Sequence, residues 1–389
     1  MRLIFENVQQ GEKLHKQLLQ DLSKLFKSTD LPTFAEEFMK HLAVFMSVFE
    51  RNPCVDHGIS FVGRFLASIP QSKPDSSEEE NTEDFTLSEK DHFHPFVAHM
   101  IQFLFKCMTS ADRGVRMRSC QLLGRFLAST PEMELSEQLF RALSQALLDR
   151  SRDRVPRVRL HAVNAMARLQ DPKDREDKIV QVYLFLLQFD PSPEVRNAVL
   201  NHIAVTKMTV KTILDRSLDV NDFVRRSVYL RITNCIGIKS LTINQRCHLI
   251  GQGLNDRSEM VRNAVVKKLI PEWTRQCNGS ILELLVKLDV VSGQLDGDDV
   301  NETVLLALFR AQKPQEIIDS LQILNEQLVV ADVTPESVFY WRCLVHYLRF
   351  EADKSLDIDG FVDQILPPLL QLVEYVYRLA FLFCVLFIF

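Results

Sequence analysis

DRVPRVR (Asp153–Arg159) returns as DPSPEVR (Asp190–Arg196), DVNDFVR (Asp219–Arg225) and DRSEMVR (Asp256–Arg262). In each copy an Asp precedes a Val-Arg pair by the same distance, and SADRGVR (Ser110–Arg116) is a degenerate copy with Ser in the Asp place. An Asp or Ser that opens a turn can accept hydrogen bonds from the exposed N–H groups of the helix that follows. The Val is expected to face inward. The Arg lies about one turn into the helix, within reach of the Asp of its own or an adjacent copy. Five copies in register between Ser110 and Arg262 are not a chance pattern.

Around this phrase the chain reads at helical period. Leu14, Leu18, Leu22, Leu25 and Phe26 form one apolar stripe, and Phe34, Phe38, Leu42, Phe45 and Phe49 form another. Most prolines fall between such stripes, where they open or close helices. The recurring phrase resembles the signature of HEAT repeats, so the expected fold is all-α, a HEAT-repeat α-solenoid. A second duplication agrees. GRFLASIP (Gly63–Pro70) and GRFLASTP (Gly124–Pro131) stand too far apart for one repeat, but the intervening segment Gln71–Asp91 carries eight acidic residues and almost no apolar ones. Such a segment cannot bury enough surface to fold and reads as a mobile loop. Without it the spacing falls to about 40 residues, the period of two-helix repeats. Phe65 and Phe126, like Leu66 and Leu127, then become equivalent buried positions. The expected organisation is 1–70 as N-terminal helices and a first repeat, 71–91 as the acidic loop, 92–367 as further repeats, and 368–389 as an apolar tail.

Enzyme classes find no support. Neither a phosphate-binding GxxxxGK[ST] loop nor HExxH, GxSxG or GxGxxG occurs. No catalytic residue or cofactor is expected, and no metal. The cysteines have no zinc or redox spacing, and Asp91, His92, His94 and His99 read as a helix start rather than a ligand set. The apolar run Leu379–Phe389 is too short to span a bilayer unless Glu374 and Arg378 are taken in with it, so a membrane role is not expected.

Charge is more informative. The net charge is −5, yet Ile101–Leu160 holds eleven Lys/Arg against six Asp/Glu. Arg116, Arg159, Arg196, Arg225 and Arg262 occupy the repeat's own Arg position. With Asp153, Asp190, Asp219 and Asp256 they are expected to form a structural ladder. Arg113, Arg118, Arg150, Arg152, Arg154 and Arg157 are off that register, with weaker clusters at Arg225–Arg226 and Lys267–Lys268. A stripe of such cations suits the phosphate backbone of DNA, and an ordinary solvated face is the competing reading. The DNA-contact set expected from sequence is Arg113, Arg118, Arg150, Arg152, Arg154, Arg157, Arg226, Lys267 and Lys268.

The ordered phrases FAEEFMKHLAVFMSVFER, VRMRSCQLLGRFLAS, RDRVPRVRLHAVNAMARLQDPKD, RCHLIGQGLNDRSEMVRNAV and TPESVFYWRCL resemble the N-terminal part of the G-type HEAT subunits of condensin. The resemblance runs from about Gly11 to Pro367. It implies a non-catalytic regulatory subunit that binds the kleisin subunit (CAP-H) and double-stranded DNA. It further implies work beside an SMC ATPase pair in mitotic chromosome condensation, in the nucleus and on mitotic chromosomes as well as in the cytoplasm. The competing expectation is a HEAT scaffold that binds protein and leaves DNA alone. After Pro367 the family pattern is lost, and the apolar ending is expected to be a truncated or irregular one.

Overall fold

The computed structural model describes residues 1–70, 93–289, 297–312 and 334–351, with isolated positions 317, 373 and 377. The acidic segment 71–91 and, apart from those isolated positions, the tail 368–389 lie outside the described residues. Every described element is helical, and the fold is an all-α HEAT-type solenoid. The chain divides into two units, Met1–Ile213 and Leu214–Phe389.

In the first unit, α1 (Arg2–Val8) and α2 (His15–Ser28) pack on the first helix pair, α3 (Leu31–Met46) and α4 (Pro53–Ser68). Three more pairs follow: α5 (Pro95–Met108) with α6 (Arg113–Ser129), α7 (Glu137–Arg150) with α8 (Pro156–Met166), and α9 (Lys178–Phe189) with α10 (Pro193–His202). Local chemistry sets the boundaries. Asp30, Asn52, Asp112, Ser136 and Asp177 each cap a helix by accepting a backbone N–H, and Pro32, Pro53, Pro95, Pro156 and Pro193 stand in first turns. His94, weighed above as a metal ligand, caps α5 instead: its Nδ1 accepts the Phe96 N–H at 3.2 Å.

The second helices stack in sequence, α4 on α6, α6 on α8, α8 on α10. Glycine permits the close approach. A Cβ at Gly63 would lie 2.8 Å from Arg125 Cβ, and one at Gly124 would lie 3.2 Å from Ala165 Cα. These are the two glycines of the duplicated phrase, which therefore marks where one second helix lies against the next. Phe65, Leu66, Phe126 and Leu127 are all buried. Under the first pair the core is aromatic, with Phe34, Phe38, Phe65 and Phe96 ring to ring. Aromatic contacts of this kind add to the area that such side chains bury.

The second unit holds α11 (Val210–Asp215, which begins in the first), α12 (Asp222–Cys235), α13 (Ile243–Leu254), α14 (Glu259–Ala264), α15 (Ile270–Gln276), α16 (Ile281–Leu288), α17 (Gly297–Ala311) and α18 (Pro335–Phe350). Pro271 does not end a helix as its sequence position suggests. The helical path continues from Glu259 to Gln276, and a π turn at Val265–Leu269 comes directly before the proline. Proline lacks an N–H and crowds the carbonyl four residues back, and a wider turn relieves both.

Candidate nucleic-acid interface

The repeated phrase builds the rungs that position the surface. Arg116 Nε and Nη2 donate to Asp153 at 2.7 and 3.2 Å, and Arg159 makes the same fork to Asp190 at 2.7 and 2.8 Å. In the second unit Arg225 forks to Asp256 at 2.6 and 2.7 Å. Each rung joins one second helix to the turn of the next pair. The remaining nitrogen returns to the arginine's own turn: Arg116, Arg159, Arg196, Arg225 and Arg262 donate Nη1 to the carbonyl six residues back, at Ser110, Asp153, Asp190, Asp219 and Asp256. The aspartates are equally occupied. Asp153, Asp190, Asp219 and Asp256 also accept the N–H two residues on, which fixes the turn. Burial alone would raise the Asp153 and Asp256 carboxyls, but the hydrogen bonds and charges of Arg116 and Arg225, together with the Val155 and Ser258 N–H groups, outweigh it and hold both below the ordinary range. Val158, Val195, Val224 and Val261 point inward with no exposed surface, whereas Val115 of the degenerate copy is only half-buried.

Arg118 corrects the off-register reading. Only 1% of it is exposed, so it cannot meet a phosphate backbone. Its guanidinium donates to Asp56 and Gln121 at 2.6 Å each, to Val48 O at 2.8 Å and to Glu50 O at 3.1 Å. This contact runs opposite to the other rungs, with the carboxylate on the earlier helix and the arginine on the later one. Burial would lift the Asp56 carboxyl, but the Gln121 and Arg118 hydrogen bonds hold it low. Beside it His161 of α8 is half-buried, and the loss of solvent, with Arg118 adding repulsion, pulls its pKa down to about 4. Burial pushes the Cys120 thiol up to about 12, so it is an unreactive core group.

The other off-register residues of the first unit gather on the turns inside the helix pairs and on the helix ends that flank those turns. Three turns lie side by side: the α3–α4 turn (47–52), the α5–α6 turn (109–112) and the α7–α8 turn (151–155). Arg118 bonds to Val48 and Glu50 carbonyls of the first, and Arg150 Nη1 donates to Met108 O at 2.8 Å. Arg150 is half-buried and lies 3.6 Å from Asp153. Arg152 and Arg154 are exposed and make no ion pair among the described residues. Arg113 and Arg157 converge on Phe49, their guanidinium carbons 4.2 and 5.5 Å from its ring centroid. Arg157 Nη1 also donates to Phe49 O at 3.1 Å. A cavity of about 310 Å³ opens here, lined by Phe49, Arg51, Arg118, Arg157 and His161 among others. Sequence reading placed Phe49 at the end of the apolar stripe of α3 and passed over Arg51, but α3 ends at Met46 and both residues lie in the turn that follows. The available signal was their place just before Asn52-Pro53, as Arg154 stands just before Val155-Pro156 in its own pair. In the second unit Arg226 is half-buried on α12, and Lys267 and Lys268 are exposed on the π turn.

Comparison with known proteins gives these features a family. The family model described as "Sister chromatid cohesion protein PDS5 protein" matches residues 92–213. Condensin complex subunit 3 of Homo sapiens is 35% identical over 95% of this chain, and that of Xenopus laevis 34% over 93%. Among solved structures, the Schizosaccharomyces pombe condensin Cnd3–Cnd2 subcomplex aligns with a TM-score of 0.74 and 28% identity, covering 97% of this chain and 44% of that one. The chain spans about a third of the length of the human and frog relatives. Over that third, it belongs to the condensin complex subunit 3 family.

Proposed function

We propose that this chain acts in condensin as a non-catalytic HEAT-repeat arm that holds the kleisin subunit and receives double-stranded DNA along the turn edge of its first unit. One observation carries the reading. Arg152 and Arg154 lie on the α7–α8 turn, Arg113 and Arg157 lie at the helix starts beside neighbouring turns, and none of the four forms an ion pair among the described residues, whereas Arg116, Arg159 and Arg225 are each committed to a carboxylate. Charges left without a protein anion on one edge suit a sequence-independent phosphate contact. ATP chemistry would belong to the SMC partners, and the place of work would be the chromosome in the nucleus. The test is a fluorescence-anisotropy titration with labelled duplex DNA, with and without a kleisin segment. Binding that falls steeply with salt, and is lost in R152E/R154E, is the expected result. Equal affinity of that variant and the parent at every salt concentration overturns the reading.

A second reading, a scaffold that binds protein and leaves DNA alone, draws on one feature. Phe185 and Phe189 on α9 are 61% and 66% exposed and lie 5.3 Å apart, an aromatic pair that polar solvent does not favour. The same titration separates the two, because the scaffold binds the kleisin segment and leaves the DNA signal flat.

A further inference from the structure

We infer that Phe49 is a positioning residue for nucleic acid: its ring and carbonyl together hold the Arg113 and Arg157 guanidiniums, donated by two successive helix pairs, ready for phosphate. This rests on the DNA reading above and assigns a part within it to a residue that carries no charge.

Long cationic side chains on exposed turns are ordinarily free to rotate, and binding must then overcome that freedom. Here the freedom is already reduced. Arg113 is the first residue of α6, and its guanidinium sits 4.2 Å from the Phe49 centroid with no hydrogen bond or ion pair of its own among the described residues. Arg157 stands in the first turn of α8, 5.5 Å from the same centroid, and spends only Nη1 on the Phe49 carbonyl. Its Nε and Nη2 remain for an outside acceptor. A guanidinium laid near a ring is held through its face, while its N–H groups radiate in its own plane, so the edge that recognises phosphate stays available. Both cations answer to one ring, so they are no further apart than the sum of those two distances.

The Phe49 backbone is fixed in turn. Arg118 takes the carbonyls on either side of it, Val48 O and Glu50 O, and the Phe49 N lies 3.4 Å from where a Cβ at Gly114 would be. The buried Arg118 thus anchors the turn from which Phe49 aligns the two surface arginines. A sequence-level cluster of like charges resolves into one arginine that builds the platform and two that the platform presents.

The experiment is a double-mutant cycle on the full chain with labelled duplex DNA at fixed low salt, alongside melting curves. Phe49→Leu keeps apolar bulk but removes the ring face, and should weaken DNA binding roughly threefold to tenfold, the scale of one or two exposed cation–π contacts. Phe49→Tyr should restore affinity. In an R113A/R157A background Phe49→Leu should have no further effect, which a merely structural loss would not reproduce. If R152E/R154E weakens binding but Phe49→Leu leaves it unchanged, the positioning role is wrong and the DNA reading stands. If Phe49→Leu weakens binding equally in both backgrounds, the ring acts by another route and the inference also fails. A parent chain that binds no duplex at all overturns both.

Discussion

At the scale of single residues, the arginines of Ile101–Leu160 divide by what their guanidiniums touch, which charge counting cannot show. Arg118 and Arg152 look alike in sequence, yet one is enclosed and bonded to four acceptors while the other is exposed. Arg118→Gln should therefore lower stability by roughly 2–4 kcal/mol, since it leaves two carbonyls without their donor and takes from Asp56 its cationic partner. A thermal melt checks this, and R152A should shift the same melt hardly at all. His161 supplies a pH prediction. Its folded pKa of about 4 lies below the ordinary imidazole value, so between about pH 6.5 and 4 the unfolded chain binds the extra proton. Stability should thus fall on acidification through that window, by on the order of 1–3 kcal/mol from this residue alone. Asp56, Asp153 and Asp256, with depressed pKa values, lose their contribution only at lower pH. In His161→Gln the slope of melting temperature between about pH 6.5 and 4.5 should flatten, and an unchanged slope assigns the acid sensitivity elsewhere. Nothing in the sequence separates His161 from the other histidines, because the groups around it, Asp56 of α4 and Arg118 of α6 among them, come from other helix pairs.

At the scale of the helix, the repeat was legible because one phrase does three local jobs. Its Asp fixes a turn, its Val enters the core and its Arg ties consecutive pairs. Each job is written within a single short phrase, and so survives in the sequence. The glycines of GRFLASIP and GRFLASTP were visible as a duplication but not as a packing device, since what each meets lies on the next second helix. Their role makes a prediction with a built-in control. Gly63→Ala would put a Cβ 2.8 Å from Arg125 Cβ on a neighbouring helix and should cost about 1–3 kcal/mol in overpacking. Gly237→Ala meets its nearest atom at 3.6 Å and should be nearly neutral. Chemical denaturation of both variants tests this, and equal midpoints for the two would contradict the close approach of α4 and α6. Pro271 shows the opposite failure of local reading. A proline is a sound helix stop in most sequences, and only the π turn before it lets the helical path pass through.

At the scale of the whole molecule, fold and family follow from many weak signals that agree, whereas a DNA surface depends on which side chains remain uncommitted after packing. The mean charge of the chain is acidic, so any affinity for duplex DNA must come from a local edge rather than a general field. That gives the salt dependence a definite form. Each phosphate contact releases condensed counterions and contributes about 0.9 to the slope of log affinity against log salt. R152A/R154A should then lower the slope by about two, if both side chains contact phosphate, while leaving the melting curve in place. Arg159→Ala makes the opposite prediction. It cuts the Asp190 fork and should depress the melting temperature, yet it removes no phosphate contact, so the slope of the folded fraction should stay at the parent value. Measuring both variants by anisotropy from low to physiological salt tests the division between ladder and edge. A slope that falls equally for R152A/R154A and for Arg159→Ala would mean that the rungs and the surface are not separate sets, and that DNA affinity reports the integrity of the repeat rather than the charges it exposes.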